Sequence, residues 1–373
     1  MKVLTVHWLW LLIFILAPFN SHFINYNRFM NLKTICRFAA VILVTAPGCK
    51  KDASSTQNSK TTATTSNVDV YVAGSTLGTG GITVATYWKN GIASTIGNGI
   101  RTSQLKAIAV NGTDVYAIGT SVNTTHGQYV GALWTNGTES QLTTGTIISS
   151  ANSIALNGSD VYIAGYFLTH AQKTVAAIWK NGIMTALADT VDNSEAYATV
   201  ESNGHVYAAG FTTNNVGHIE ATYWKDNIAT VVSSDPVASI AYSMAVNGSD
   251  VYLAGSLANN QSPVYWKNGV VASVSGGALT ILNAMAVSGT DIYFAGTTVS
   301  SISGGSNGYV ATMWKNGSLT RLTDASSPAS NATGMALNGS DVYIAGNGGY
   351  WKNGMLTQFG STAETFGICV VPK

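Results

Sequence analysis

The stretch NGSDVYIAG, Asn157–Gly165, recurs almost unchanged at Asn247–Gly255 and Asn338–Gly346. Aligned on its core, D-V-Y-x-A-G, the chain shows seven anchors: Asp69, Asp114, Asp160, His205, Asp250, Asp291 and Asp341. In each copy a Gly follows five residues after the anchor. One Trp then follows: Trp88, Trp134, Trp179, Trp224, Trp266, Trp314 and Trp351. The repeat is therefore a complete structural unit, written again and again, rather than a local motif.

Each unit parses into four short strands. In the third copy these are NSIAL (A), DVYIAG (B), VAAIWK (C) and MTALA (D). The segment NGSD joins A to B, and Asn-Gly joins C to D, a strong signal for a tight hairpin with a type I′ turn. Strand B is apolar on both faces, so neighbouring sheets must cover it on both sides. A period of about 45 residues belongs to propeller blades rather than to ankyrin or leucine-rich solenoids. The fold expected is all-β, a seven-bladed propeller of four-stranded blades over residues 67–373.

The chain also carries a closure device. The first copy has no strand A, and the last copy ends in a surplus strand, TFGICVV. Pairing Phe366–Val371 beside Val68–Ala73 completes the first blade and closes the ring. Cys369 falls in register with Ala155, Ala245 and Ala336, so it is expected to be a small buried residue.

Over roughly residues 66–372 the unit resembles seven-bladed propellers of the kelch and Trp-Asp-repeat type. The resemblance rests on the Trp near the end of strand C and the hairpin Asp. Here, however, Trp is followed by Lys, Thr or, at none of the seven positions, Asp, and no Gly-His pair opens the unit. The resemblance therefore implies a fold and not a set of partners.

Two apolar stretches, Trp8–Phe19 and Phe38–Ala46, precede the repeats, each shorter than the ~20 residues a membrane-spanning helix needs. The second follows Lys33 and Arg37 and has the layout of a secretory signal. Its ending, APGC, resembles the lipobox of bacterial lipoproteins, which implies lipid attachment at Cys49. A start at Met30 gives a compact signal of this kind. The polar run after Cys49 is a flexible tether spanning roughly 20–25 Å, and its opening, CKKD, resembles that of surface-exported lipoproteins. The organisation expected is thus leader 1–48, anchor and tether 49–66, and propeller 67–373. The address is the cell envelope, by lipid anchor at an outer membrane or cell surface, or a soluble secreted form.

Loop lengths separate the two faces of the ring. From each Trp to the next anchor the spacing is 25 to 27 residues, whereas from each Gly to its Trp it runs from 5 to 18. The variation falls in the B–C loops, which share a face with the D–A connections. Variable loops on a rigid scaffold are where binding concentrates. The repeated residues read as structural. Six Asp (Asp69, Asp114, Asp160, Asp250, Asp291 and Asp341) satisfy backbone groups of the A–B hairpin, and the seven Trp wedge between blades. The Lys that follow six of the Trp sit by the C–D turn, where they either pair with the anchor Asp or stay solvated.

Departures from the repeat mark a candidate site. After the strand-B Gly, copies three and four carry Tyr166 and Phe211. Their B–C loops hold His170, His218 and Glu220, and the D–A connection between them supplies Asp189, Asp192 and Glu195. Aromatic platforms beside carboxylates and His suit sugar or peptide recognition. Glu201 and His205 are also unusual, but His205 belongs to the opposite face.

With 9% charged residues and a net charge of +1, the chain has no basic field for nucleic acid. It carries no metal-spaced His/Asp/Glu motif, nucleophile elbow or phosphate loop, so no cofactor, metal or catalytic residue is expected. The expected protein is a monomeric, non-catalytic binding propeller for a glycan or a protein. The alternatives are a secreted hydrolase or lyase with its site at the mouth of the channel, and an assembly scaffold.

Overall fold

A computed structural model of the chain describes residues 67–233, 237–257, 262–276, 280–301, 307–324 and 330–373. The signal, Cys49 and the tether lie outside them. Seven four-stranded antiparallel sheets form, each with its strands in the order A-B-C-D. The inner strands are Ser103–Asn111, Ser149–Asn157, Ser194–Ser202, Ser239–Asn247, Ile281–Ser288, Ala332–Asn338 and Glu364–Pro372. Each packs on the inner strand of the next blade, and the last packs on the first. The protein is a closed, seven-bladed β-propeller.

Closure is made as the repeat demands. Glu364–Pro372 pairs antiparallel with Val68–Leu77, with Val70 opposite Val370 and Tyr71 opposite Cys369. Cys369 is buried, and burial pushes its thiol up to about 12. Without this strand the first blade would expose the edge of Val68–Leu77; with it, every blade ends on an inner strand packed in the ring, so only short, protected edges remain.

The C–D turns are type I′. Asn181 and Gly182 both have positive φ, 50° and 82°, as do the corresponding pairs in the other blades. In the fourth blade Asp226 and Asn227 take these places, at 49° and 70°. Each Trp buries against the preceding blade. Trp179, for example, packs with Ala107, Ala109 and Ile118 of the second blade, and its Nε1 donates to the Leu142 carbonyl at 3.2 Å. Burying a side chain of this size contributes roughly 2–3 kcal/mol.

The anchor Asp do not serve the A–B hairpin. Asp160 Oδ1 accepts from Asn181 Nδ2 at 2.8 Å, and Asn181 Oδ1 accepts the Val161 N–H at 2.8 Å. Asp160 Oδ2 pairs with Lys180 at 2.8 Å, and the same ammonium stands 5.2 Å from the Tyr162 ring centre. The start of strand B is thereby clasped to the C–D turn. The reason is geometric: Asp160 opens strand B, Lys180 ends strand C, and paired antiparallel strands bring those ends together. Lys89, Lys267, Lys315 and Lys352 repeat the ion pair. In the fourth blade His205 Nδ1 meets Asp226 Oδ2 at 2.6 Å instead, an inverted version of the same clasp.

A second device joins blade to blade. Strand D is too short to cover the first N–H groups of strand C, and a Ser opening the next inner strand accepts one of them. Ser103, Ser149, Ser194 and Ser239 accept from Ala85, Gly131, Ala176 and Ala221 at 2.8–3.0 Å.

Candidate functional site at the mouth of the ring

Every inner strand carries one bulge, and the bulges stand at the same level around the ring axis. The bulged residues, passed over in the strand register, are Phe366, Lys106, Asn152, Tyr197, Tyr242, Asn283 and Thr333, from the first blade to the seventh. All seven are buried. The bulge also explains the repeated strand-B Gly. The kinked inner strand drives a carbonyl into the space a Cβ would need at Gly74, Gly119, Gly165, Gly210, Gly255, Gly296 and Gly346. Close backbone approach, rather than turn chemistry, selects glycine there.

Bulged side chains reach forward to the next blade. Asn152 Nδ2 donates to the Ala196 carbonyl at 2.9 Å, and Asn283 Nδ2 to Ala332 at 2.8 Å. Thr333 Oγ1 donates to the Thr365 carbonyl at 3.0 Å. Lys106 Nζ donates to Ser150 Oγ at 2.7 Å and to Asn152 Oδ1 at 2.8 Å. The Tyr197 and Tyr242 rings stand 5.7 Å apart.

Two residues nearer the B–C face stand Glu364, Gln104, Ser150, Glu195, Ile240, Ile281 and, just before the seventh inner strand, Asn331. This rim is two-sided. Gln104 Nε2 donates to Glu364 Oε2 at 3.3 Å, Ser150 Oγ bonds Asn152 at 2.9 Å, and Tyr166 hydrogen-bonds Ser150. Glu195 accepts from Tyr197 and Thr174. Burial lifts the Glu195 carboxyl to about 7, against the opposing pull of Tyr197 and of the Lys106 charge. Burial, then the neighbouring Glu195, raises the phenols of Tyr166 and Tyr197. On the other side, Ile240 joins Ile219, Phe211, Tyr197 and Tyr242 in an apolar cluster. Hydrogen-bonding groups thus occupy one arc of the mouth and apolar surface the next.

Of the sequence candidates, Tyr166 and Glu195 meet at this mouth. Phe211 is buried, with its ring 6.1 Å from Tyr197, and so forms a wall rather than an exposed platform. His170 and His218 are exposed on the B–C loops. Glu220 accepts from Asn214 Nδ2 at 3.0 Å and braces the loop that carries His218. Asp189 Oδ1 accepts the Val191 N–H at 3.1 Å within its own turn, and Asp192 is half-buried beside it. Sequence reasoning missed Lys106, Asn152, Tyr197 and Tyr242. Their signal was present, since each stands thirteen residues before a strand-B Gly. Among the described residues, no three His, Cys, Asp or Glu gather to hold a metal ion.

No protein family matches this sequence, and no curated protein does. Among solved structures it is similar to the β-propeller domain of the Trilobed protease from Pyrococcus furiosus, at 9% identity and a TM-score of 0.41, over 66% of this chain and 80% of that one. It is similar to TolB from Acinetobacter baumannii at 12% identity and a TM-score of 0.43, over 81% of this chain and 83% of that one. It is also similar to the extracellular domain of a hybrid two-component system from B. thetaiotaomicron, at 7% identity and a TM-score of 0.41, over 70% of this chain and 33% of that one. The chain thus spans about a third of the length of that last protein. Likenesses at this level assign no function; strand order and blade packing establish the fold.

Proposed function

We propose that this protein is a non-catalytic binding propeller of the cell envelope, anchored by lipid at Cys49 and presenting its B–C face to a glycan or a protein. The observation that carries the reading is the two-sided mouth. A ligand with a hydroxylated edge and an apolar face, as a sugar ring has, matches a rim that is polar at Gln104, Ser150, Tyr166 and Glu195 and apolar at Ile240 and Ile281. Phe211 shapes the wall behind it. His170, His218, Glu220, Asp189 and Asp192, on the surrounding loops, supply the adaptable contacts.

A glycan array probed with the chain from Lys50 onward tests this reading, with Tyr166→Ser as the paired variant. Binding by the wild type that drops in the variant supports it; equal binding by both removes the mouth as the site. Metabolic labelling with a fatty-acid probe tests the anchor, which predicts a labelled wild type and an unlabelled Cys49→Ala.

A second reading, a hydrolase or lyase acting at the same mouth, draws on one observation. A carboxyl near 7 with Tyr197 in hydrogen-bond contact has the acidity that general acid–base catalysis uses. A panel of glycan and peptide substrates, assayed with wild type and Glu195→Gln, separates the readings. Turnover that the substitution abolishes is the catalytic outcome.

A further inference from the structure

The face opposite the mouth carries its own repeated feature. The residue directly after the C–D turn is Ile92, Ile183, Ile228, Val270 or Met355 in five of the seven blades, and these are 72–79% exposed. The turns sit on the outer half of each blade, so the five side chains form an apolar rim around one face. The sheet does not require them. Thr138 and Ser318 hold the same place in the second and sixth blades, where they too are exposed and pair with the last residue of strand C.

Three observations bear on what covers this rim. The first is where the chain joins the ring. Val68 begins a strand B, so the preceding residues attach on this face, and the Lys373 N–H bonds the Asn67 carbonyl there at 2.9 Å. The second is charge. Beside Ile92, Ile183, Val270 and Met355 the lysine is paired with its clasp aspartate at 2.7–2.9 Å, and beside Ile228 Lys225 stands over the Tyr207 ring at 5.4 Å, so approaching an apolar phase does not strand a row of bare ammonium groups. The third is shape. Side chains at equivalent places in a closed ring meet a flat surface together, whereas a narrow peptide would touch only one or two of them.

We infer that this rim rests on a lipid surface, with the aliphatic side chains inserted at the headgroup boundary and the mouth of the ring directed away from it. The inference deepens the envelope reading and takes its membrane from it. Read from its sequence as a flexible run with a reach of roughly 20–25 Å, the segment after Cys49 is compatible with the face lying flat.

Flotation of the anchor-free chain from Lys50 onward with zwitterionic phosphatidylcholine vesicles, at millimolar lipid, tests it. The comparison is with a quadruple variant, Ile92→Ser, Ile183→Ser, Ile228→Ser and Met355→Ser, which copies the polar residues two blades already use. The expected result is flotation of the wild type and at least about a tenfold loss in the variant, with unchanged thermal unfolding. Equal behaviour of the two, or no flotation of either, overturns the inference. So does sedimentation showing a wild-type dimer that the variant dissolves, which would make the rim a contact between copies. Because the chain used lacks Cys49, failure here is distinct from failure of the fatty-acid labelling.

Discussion

The carbonyl of Ser150 occupies the space that a Cβ on Gly165 would need. Gly182, by contrast, has a positive φ of 82° but nothing near the place its Cβ would take. The two glycines are therefore required for different reasons, one by a neighbouring backbone and one by its own torsion.

Gly165→Ala is expected to destabilise the domain by about 3 kcal/mol or more, because overpacking against backbone has no flexible partner to yield. Gly182→Ala is expected to cost about 1–2 kcal/mol, the penalty for an L-residue in the left-handed region. Urea unfolding of both variants checks the order. A larger cost at Gly182 would contradict the bulge as the origin of the repeated glycine.

Removing Phe366–Lys373 takes the inner strand from the first blade and bares the edge of Val68–Leu77. The truncated protein is expected to aggregate or to lose its cooperative transition. Light scattering together with calorimetry reads the outcome, and a monomer melting like the intact ring would refute the closure.

Glu195 ties stability to pH. Its carboxyl rises from the ordinary 4.5 to about 7 in the fold, so the folded state holds a proton that the unfolded chain releases between those values. Stability from this group is present below pH 4.5 and is lost as pH rises through 7. Glu195→Gln is expected to melt close to wild type at pH 5 and a few degrees higher at pH 8. A variant that melted lower at pH 8 than wild type would show the charged form to be the favoured one.

Phe211 and Trp179 test the difference between the wall of the mouth and the wedge between blades. Trp179→Ala truncates a fully buried side chain and is expected to cost about 3–5 kcal/mol. Phe211→Leu keeps an apolar filler beside Tyr197 and Tyr242 and is expected to cost about 1 kcal/mol, while altering the mouth where a ligand would contact it. Chemical denaturation measures both. A Phe211→Leu cost equal to that of Trp179→Ala would make Phe211 a core residue with no part in recognition.

The sequence by itself determined the number of blades, their four-strand order, the closing strand and the type I′ turns. These follow from spacing and local backbone preference, and a repeat read seven times averages out the ambiguity of any single strand. It also marked Tyr166 and Glu195, because departures from a repeat are visible as letters. Only the tertiary structure decided that the anchor Asp clasp the C–D turn, since Asp160 and Asn181 are brought together by strand pairing across a variable loop. Only the tertiary structure revealed the bulge that puts Lys106 beside Ser150 and Asn152 and within electrostatic reach of Glu195. Those residues lie on inner strands of three different blades, and their neighbourhood is set by how the blades close around an axis. Ring geometry is a property of all seven sheets packed together, which no single repeat encodes.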